Sequence, residues 1–499
     1  MRTKMAMDSS SPHCPDAAAS GWRAWLSGQR SRLLFVAFFA LFLVYGSFRQ
    51  RYIWGVDSFG YFQLGKLFSE GRGFLPLPYA SPHATALVPW GFTLVPGTEH
   101  ARPDYPPGFP LLLGIGHWLG APLWVTPFCG MLSGVLLLGL LRTRVSEAVA
   151  LLMTAAWAVM PLTVYGSTMV MSDLVAATTL LGGLWAFRRG RPALAGWLFV
   201  LSVAVRPTDA LFLLPFSLTL RAERATLRLF VHLAVAGLLY AAYNTALFGA
   251  PWRTGYGNVW GSMSPKVFPE FAGFFLATTW KLLTPVVILF AAVALLRPSR
   301  ERAFLALWPL TLIVFYSFWE SGGADKWWWL RFILPGLPMV FLLAAEGCEL
   351  SREWLAARVG RATVWRVATL VVLALPPFFY LRFGLSQDDL WKRDIGRVNY
   401  DMVLRVEADL PPGALVGTLE HASSLALYTQ LTPFVPVDPR AADLVAEALE
   451  QGRRVFLLPE PWQRENPYVA SIFRRFAARE VARYDSPWHD LVLYELSRR

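Results

Sequence analysis

Charged residues are scarce in this chain, and the few that stand among aromatic residues mark where its chemistry could lie. Asp57 is the lone acid of YIWGVDSFGYF, residues 52–62. Arg102 and Asp104 come just before Tyr105 and a proline pair in ARPDYPPGFP, residues 101–110. Asp173 closes a run that starts at Pro161, PLTVYGSTMVMSD. Arg206 lies in VRPTDAL, with Asp209 as a candidate partner. Lys326 and Arg331 flank three consecutive tryptophans in GGADKWWWLRFILPGLP, residues 322–338. A carboxylate can take a proton from a hydroxyl, and paired cations can grip a phosphate. Each position also has a plainer use. Asp57 and Asp173 can cap helices, Arg102–Pro107 can mark a helix start, and Lys326 and Arg331 can snorkel beside an interfacial tryptophan belt.

Other chemistries lack their motifs. No phosphate-cradling glycine loop, zinc-binding HExxH helix or Gly-x-Ser-x-Gly elbow occurs. The seven histidines are scattered without metal-ligand spacing, and the three cysteines, Cys14, Cys129 and Cys348, form neither a disulfide framework nor a metal cluster.

The elements that must position these residues are membrane helices. The 499 residues are 55% hydrophobic and only 16% charged, with mean hydropathy +0.41, against about 25% charge in soluble chains. Apolar runs fall near 33–48, 124–141, 148–165, 173–187, 193–206, 208–220, 229–248, 273–296, 303–318, 332–349 and 364–381. They predict a polytopic α-helical protein of about eleven spans, each of roughly the length that crosses a bilayer core. The shorter run 107–120 opens on prolines and reads as a re-entrant or interfacial helix, as does the amphipathic stretch after Asp57.

Arginines decide the sidedness. Arg23, Arg30 and Arg32, then Arg142 and Arg144, Arg188 to Arg191, Arg221 to Arg228, Arg297 to Arg302 and Arg352 to Arg366 occupy successive linkers. The positive-inside rule puts them all in the cytoplasm. Parity then leaves 49–123, 166–172, 249–272, 319–331 and everything after 382 outside. The net charge of +12 thus reports orientation rather than nucleic-acid binding, because no soluble segment combines a basic patch with interleaved aromatics.

The termini differ from the middle. Residues 1–30 are Ser-, Ala- and Pro-rich and read as a disordered cytoplasmic tail, with Leu33–Phe48 an uncleaved anchor. Residues 31–384 form the membrane domain. Residues 385–499 alternate strands at 413–420, 453–460 and 490–496 with helices at 421–430, 438–452 and 468–482. That alternation predicts a small extracytoplasmic α/β domain.

The ordered set of Asp57, Tyr105-Pro106-Pro107, Pro161 to Asp173, VRPTDAL, NTALFGAPWRTGY and RFILPGLP resembles the GT-C superfamily of membrane glycosyltransferases over residues 30–385. That group includes protein O-mannosyltransferases, the lipid A aminoarabinose transferase and bacterial core-sugar transferases. The resemblance implies sugar transfer from a polyprenyl-phosphate donor to a lipid, glycan or protein acceptor at the outer face of a bacterial inner membrane. It implies Asp57 as general base and Asp173 as part of the acceptor or metal site. Arg331, with Lys326 and Arg206, would hold the donor phosphate, and Arg102, Asp104 and Tyr105 would belong to the acceptor loop. A divalent cation between Asp57 and Asp173 stays undecided by two acids alone. The mannosyltransferases carry an Asp-Glu pair in the first loop, whereas Ser58 follows Asp57 here. A lipid-oligosaccharide transporter, flippase or polymerase-like protein is the alternative; it would bury its charges along an internal pathway within the spans.

Overall fold

The computed structural model describes residues 17–220, 223–257, 259–319, 326–359, 362–387, 390, 396–485 and 490–499. Met1–Asp16, with Cys14, and Gly322–Asp325, Arg221 and Arg361 lie outside the described residues. The first helix is Ala17–Ser47. Residues 17–30, read as tail, are therefore helical, in keeping with the alanine-rich start of that stretch.

Among the described residues, six helices are long and apolar enough to cross a membrane, and the bent pair Glu147–Val159 and Pro161–Thr168 makes seven if it is one span. The pair bends by 57°, because Pro161 cannot donate a helical hydrogen bond and its ring disfavours helical geometry at Met160. The expected count of about eleven is not reached. Runs 173–187 and 193–206 form helices of only 16 and 14 residues, Asp173–Arg188 and Pro192–Val205. Run 208–220 breaks into the short turns Pro207–Phe212, Leu213–Phe216 and Ser217–Thr219. Arg300–Ser317 opens with Arg300, Glu301 and Arg302, which shorten its apolar part. The physical reason is enclosure. Thirteen of the sixteen residues of Asp173–Arg188 are buried, and a helix wrapped in protein need not match the hydrocarbon thickness with its own side chains.

At one end of the bundle the arginine-bearing linkers meet. Arg144 pairs with Glu301 and Glu346, Arg188 with Glu301, and Arg302 with Glu346 at 2.7 Å. Linkers far apart in sequence thus share one knot of charge, at the end that the positive-inside rule assigns to the cytoplasm. The other end carries Asp57, Asp173, Arg206 and Arg331.

Two short helices build that other end. Val56–Ser69 and Gly108–Trp118 lie against each other at Gly65 and Gly114, where an added Cβ on either would sit 3.2 Å or less from the partner helix's atoms. Between them a three-stranded antiparallel sheet, with strand order Leu75–Pro76, His100–Pro103, Phe92–Leu94, returns the chain toward Tyr105.

The C-terminal domain is α/β, as expected. Its five-stranded sheet runs Thr432–Phe434, Leu415–Gly417, Val455–Leu457, Leu491–Arg498, Phe476–Tyr484, with the first three strands parallel and the last two antiparallel. The expected helix 468–482 is corrected: Pro467–Arg475 is helical and Phe476–Tyr484 is an edge strand. Apolar spacing at Val469, Ile472 and Phe476 suited a helix, but long antiparallel pairing with Leu491–Arg498 overrides that local preference. The helix Arg397–Ala408, interrupted by Arg397, Asp401, Arg405 and Glu407, and the three-residue strand Thr432–Phe434 went unread.

Candidate active site

Asp57 stands in the first turn of Val56–Ser69, after Gly55 at φ 79°. That left-handed turn suits glycine and lets the chain enter the helix sharply. Asp57 makes no cap bond to its own helix. Its carboxylate instead accepts from the Tyr105 hydroxyl at 3.0 Å on Oδ1 and from the Arg331 guanidinium at 2.9 Å on Oδ2. Partners 48 and 274 residues away in sequence therefore hold it. Its side chain remains 38% exposed, whereas that of Arg331 is only 10% exposed.

Arg331 owes its setting to an unusual element. Trp327–Gly336 is a ten-residue 3₁₀ helix, a form that seldom runs beyond three or four residues. Residues three apart eclipse in it. Trp329 accordingly stacks on Phe332 at 5.3 Å, and Trp328 lies 5.5 Å from the Arg331 guanidinium. The tryptophans read as an interface belt therefore clasp the arginine. Among the described residues, the Arg331 Nε–H is buried without a partner and Nη1 meets the Met171 sulfur at 3.2 Å.

A second acid–guanidinium pair adjoins the first. Asp173 opens its helix without capping it and forms a buried ion pair with Arg206. The expected partner Asp209 is corrected: it accepts instead from Ser202, because the turn beginning at Pro207 faces Arg206 toward the helix start at Asp173. Arg206 also donates to the Tyr316 hydroxyl at 3.1 Å. The Phe332 ring lies between the two cations, 5.1 Å from Arg206 and 5.2 Å from Arg331. Ring faces attract cations, so one phenylalanine holds two like charges close together.

A cavity of about 990 Å³ joins these groups. Asp57, Asp173, Arg206, Arg331, Arg102 and Tyr105 all line it, together with Arg253. Arg102 donates to the Leu247 carbonyl at 3.0 Å and rests on the Phe248 ring. Neither Arg102 nor Arg253 has a carboxylate within ion-pair distance among the described residues. The cavity's four arginines thus exceed its two aspartates by two positive charges. Asp104 and Lys326 do not line it. Asp104 accepts from Thr93 at 2.6 Å and braces the loop, with burial raising its carboxyl above the usual range. Lys326 is exposed at the start of the 3₁₀ helix.

Three tyrosines crowd Asp57. Tyr61 bonds Ser172 at 3.0 Å, and its ring packs 4.4 Å from that of Tyr105. Burial, followed by the Asp57 charge, pushes the Tyr61 hydroxyl up to about 12 and holds that of Tyr105 well above 10. Burial does the same to Tyr256. These phenols stay protonated at neutral pH. Tyr61 and Phe332 were not singled out in the sequence. Arg253 and Tyr256 lie in the Gly- and aromatic-rich loop 249–261, whose composition suits a sugar site, and both line the cavity.

Asp57 and Asp173 each pair with a guanidinium, and no group of three His, Cys, Asp or Glu residues comes together among the described residues.

No protein-family model and no curated protein sequence matches the chain. Solved structures do. ArnT from Cupriavidus metallidurans, in the apo state, aligns over 96% of this chain and 98% of its own at 14% identity and TM-score 0.59. The same protein bound to undecaprenyl phosphate aligns over the same shares at 15% identity and TM-score 0.59. The Archaeoglobus fulgidus oligosaccharyltransferase aligns over 94% of this chain and 74% of its own, at 10% identity and TM-score 0.57. The arabinofuranosyltransferase AftD from Mycobacteria aligns over 94% and 40%, at 16% identity and TM-score 0.51. The chain shares the fold of these solved proteins. Its C-terminal α/β domain aligns too, since the alignment with ArnT leaves only 4% of the chain uncovered.

Proposed function

We propose that this chain is a glycosyltransferase of the bacterial inner membrane. It moves a sugar from a polyprenyl-phosphate donor to a hydroxyl of a lipid, glycan or protein acceptor at the outer face. The observation that carries this reading is the convergence of Asp57, Tyr105 and Arg331 in one cavity with a surplus of guanidinium charge.

Asp57 acts as the base. Each of its oxygens accepts one protein bond and keeps a further lone pair, so an acceptor hydroxyl can add to the shell already present. As the hydroxyl oxygen bonds to the anomeric carbon, its proton passes to Asp57, and the carbon–oxygen bond to phosphate breaks with its electrons going to the phosphate. One displacement without an enzyme nucleophile inverts the anomeric centre. The departing phosphate monoester is stabilised by cations set in advance. Arg331 supplies its spare Nε–H and Nη1–H beside the base, and Arg102 and Arg253, free of acid partners, supply charge elsewhere in the cavity. Asp173 keeps Arg206 charged and oriented.

The test is transfer from a lipid-linked sugar by the purified protein in reconstituted membranes. Asp57→Asn is expected to lower the rate by about 10²- to 10⁴-fold in a protein that still folds. Full retained activity in that variant would discard Asp57 as the base. Transport of the donor across the bilayer without transfer would favour the flippase reading instead.

A further inference from the structure

Among the described residues, two of the contacts between the C-terminal domain and the membrane domain flank the Asp57–Tyr105 pair. The first is the stretch just before the Asp57 helix. Tyr428, on the domain's helix Ala422–Tyr428, accepts the Ile53 backbone N–H at 2.5 Å. Its ring meets Tyr400 edge-on at 4.9 Å, and Tyr400 packs 4.7 Å from Tyr52. Gly396 closes this contact at φ 82°, where a Cβ would stand 2.5 Å from the Tyr52 carbonyl oxygen. Leu427 and Tyr428 pack against the apolar cluster that contains Ile53, Phe59, Tyr61 and Tyr105.

The second place lies in the loop that leads to Tyr105. Ala86 and Leu87 belong to the domain's own core, with Leu415, Phe434 and Leu444. Val435 N–H donates to the Ala86 carbonyl at 2.7 Å, Thr85 to Asp438 at 3.2 Å and Ser81 to Glu447 at 2.5 Å. Four residues beyond Leu87, Gly91 accepts the Asp104 N–H at 2.9 Å, and Tyr105 follows.

We infer that the domain is a brace for the base, with Tyr428 as a positioning residue. It fixes residues 52–54 and 85–87 on one rigid body, and so fixes where Asp57 stands relative to Tyr105. Gly55, at φ 79°, joins the braced residues 52–54 directly to the Asp57 helix. Without the Tyr428 bond the Asp57 helix can shift about that joint. Catalytic geometry tolerates little displacement, since misplacement by about 1 Å can cost about 10²-fold in rate. This inference rests on Asp57 being the base.

Tyr428→Phe in the full-length protein tests it, because the ring stays and only the acceptor oxygen is lost. Amide hydrogen exchange should quicken at residues 52–60 while exchange in the strands Leu415–Gly417 and Val455–Leu457 and the thermal midpoint hold. Transfer should slow by about 10-fold through kcat, with the KM for the lipid-linked donor little changed. Unchanged exchange at 52–60 overturns the brace. Faster exchange there with kcat unchanged overturns the link to the base. Absence of sugar transfer in the parent protein refutes the proposed activity, and the exchange arm still decides the brace.

Discussion

Asp57 has two donors of different kinds. Tyr105 is a neutral hydroxyl held neutral by burial, and Arg331 is a fixed charge. Removing one donor leaves the other, so the two roles separate by mutation. Tyr105→Phe is expected to lower kcat by about 10- to 100-fold, the worth of a hydrogen bond to a charged group, with the donor KM little changed; steady-state kinetics on the lipid-linked substrate check this. Arg331→Ala is expected to raise the donor KM as well as lower kcat, because its spare N–H groups face the phosphate in the proposed reaction. The Asp173–Arg206 pair is buried on both sides. Asp173→Asn leaves a guanidinium without its counter-charge and is expected to destabilise the protein by about 3–5 kcal/mol. An Asp173→Leu, Arg206→Met double variant should recover part of that loss, as read by chemical unfolding in detergent.

The elements that carry these residues meet at glycines. Gly108, at the start of Gly108–Trp118, lies so close to the helix Pro192–Val205 that a Cβ would stand 2.5 Å from the Val205 nitrogen and 2.6 Å from the Ala204 carbonyl carbon. Both near atoms belong to backbone, which cannot rotate away. Gly108→Ala is expected to push the two helices apart at a cost of about 1–3 kcal/mol and to displace Arg206, the next residue along. A lowered thermal midpoint with reduced transfer would bear this out; an unchanged midpoint would show that the helix ends are free to move.

At the scale of the whole molecule, the outer domain carries its own pH sensitivity. Glu460 is fully buried, and burial pushes its carboxyl up to about 7. The folded domain therefore holds a proton that the unfolded chain releases near 4.5. Its contribution is complete below pH 4.5, declines as pH rises toward 7, and stays lost above that. Glu460→Gln should flatten this decline and raise the thermal midpoint at pH 8 relative to the parent protein. The sequence by itself determined the class of the molecule. Hydropathy and the spacing of arginines dictated a membrane bundle, its sidedness and a separate outer domain, because these depend on sums over many residues. It also placed Asp57, Asp173, Arg102, Tyr105 and Arg331 among the candidates, because charge amid aromatics is conspicuous. Span number was not legible, since whether a short helix such as Asp173–Arg188 faces lipid or protein depends on its neighbours. Nor were the pairings. That Arg331 answers Asp57, that Arg206 answers Asp173 rather than Asp209, and that Lys326 faces away are decided by contacts between segments up to 274 residues apart. No local rule encodes such contacts; only the packed bundle sets them.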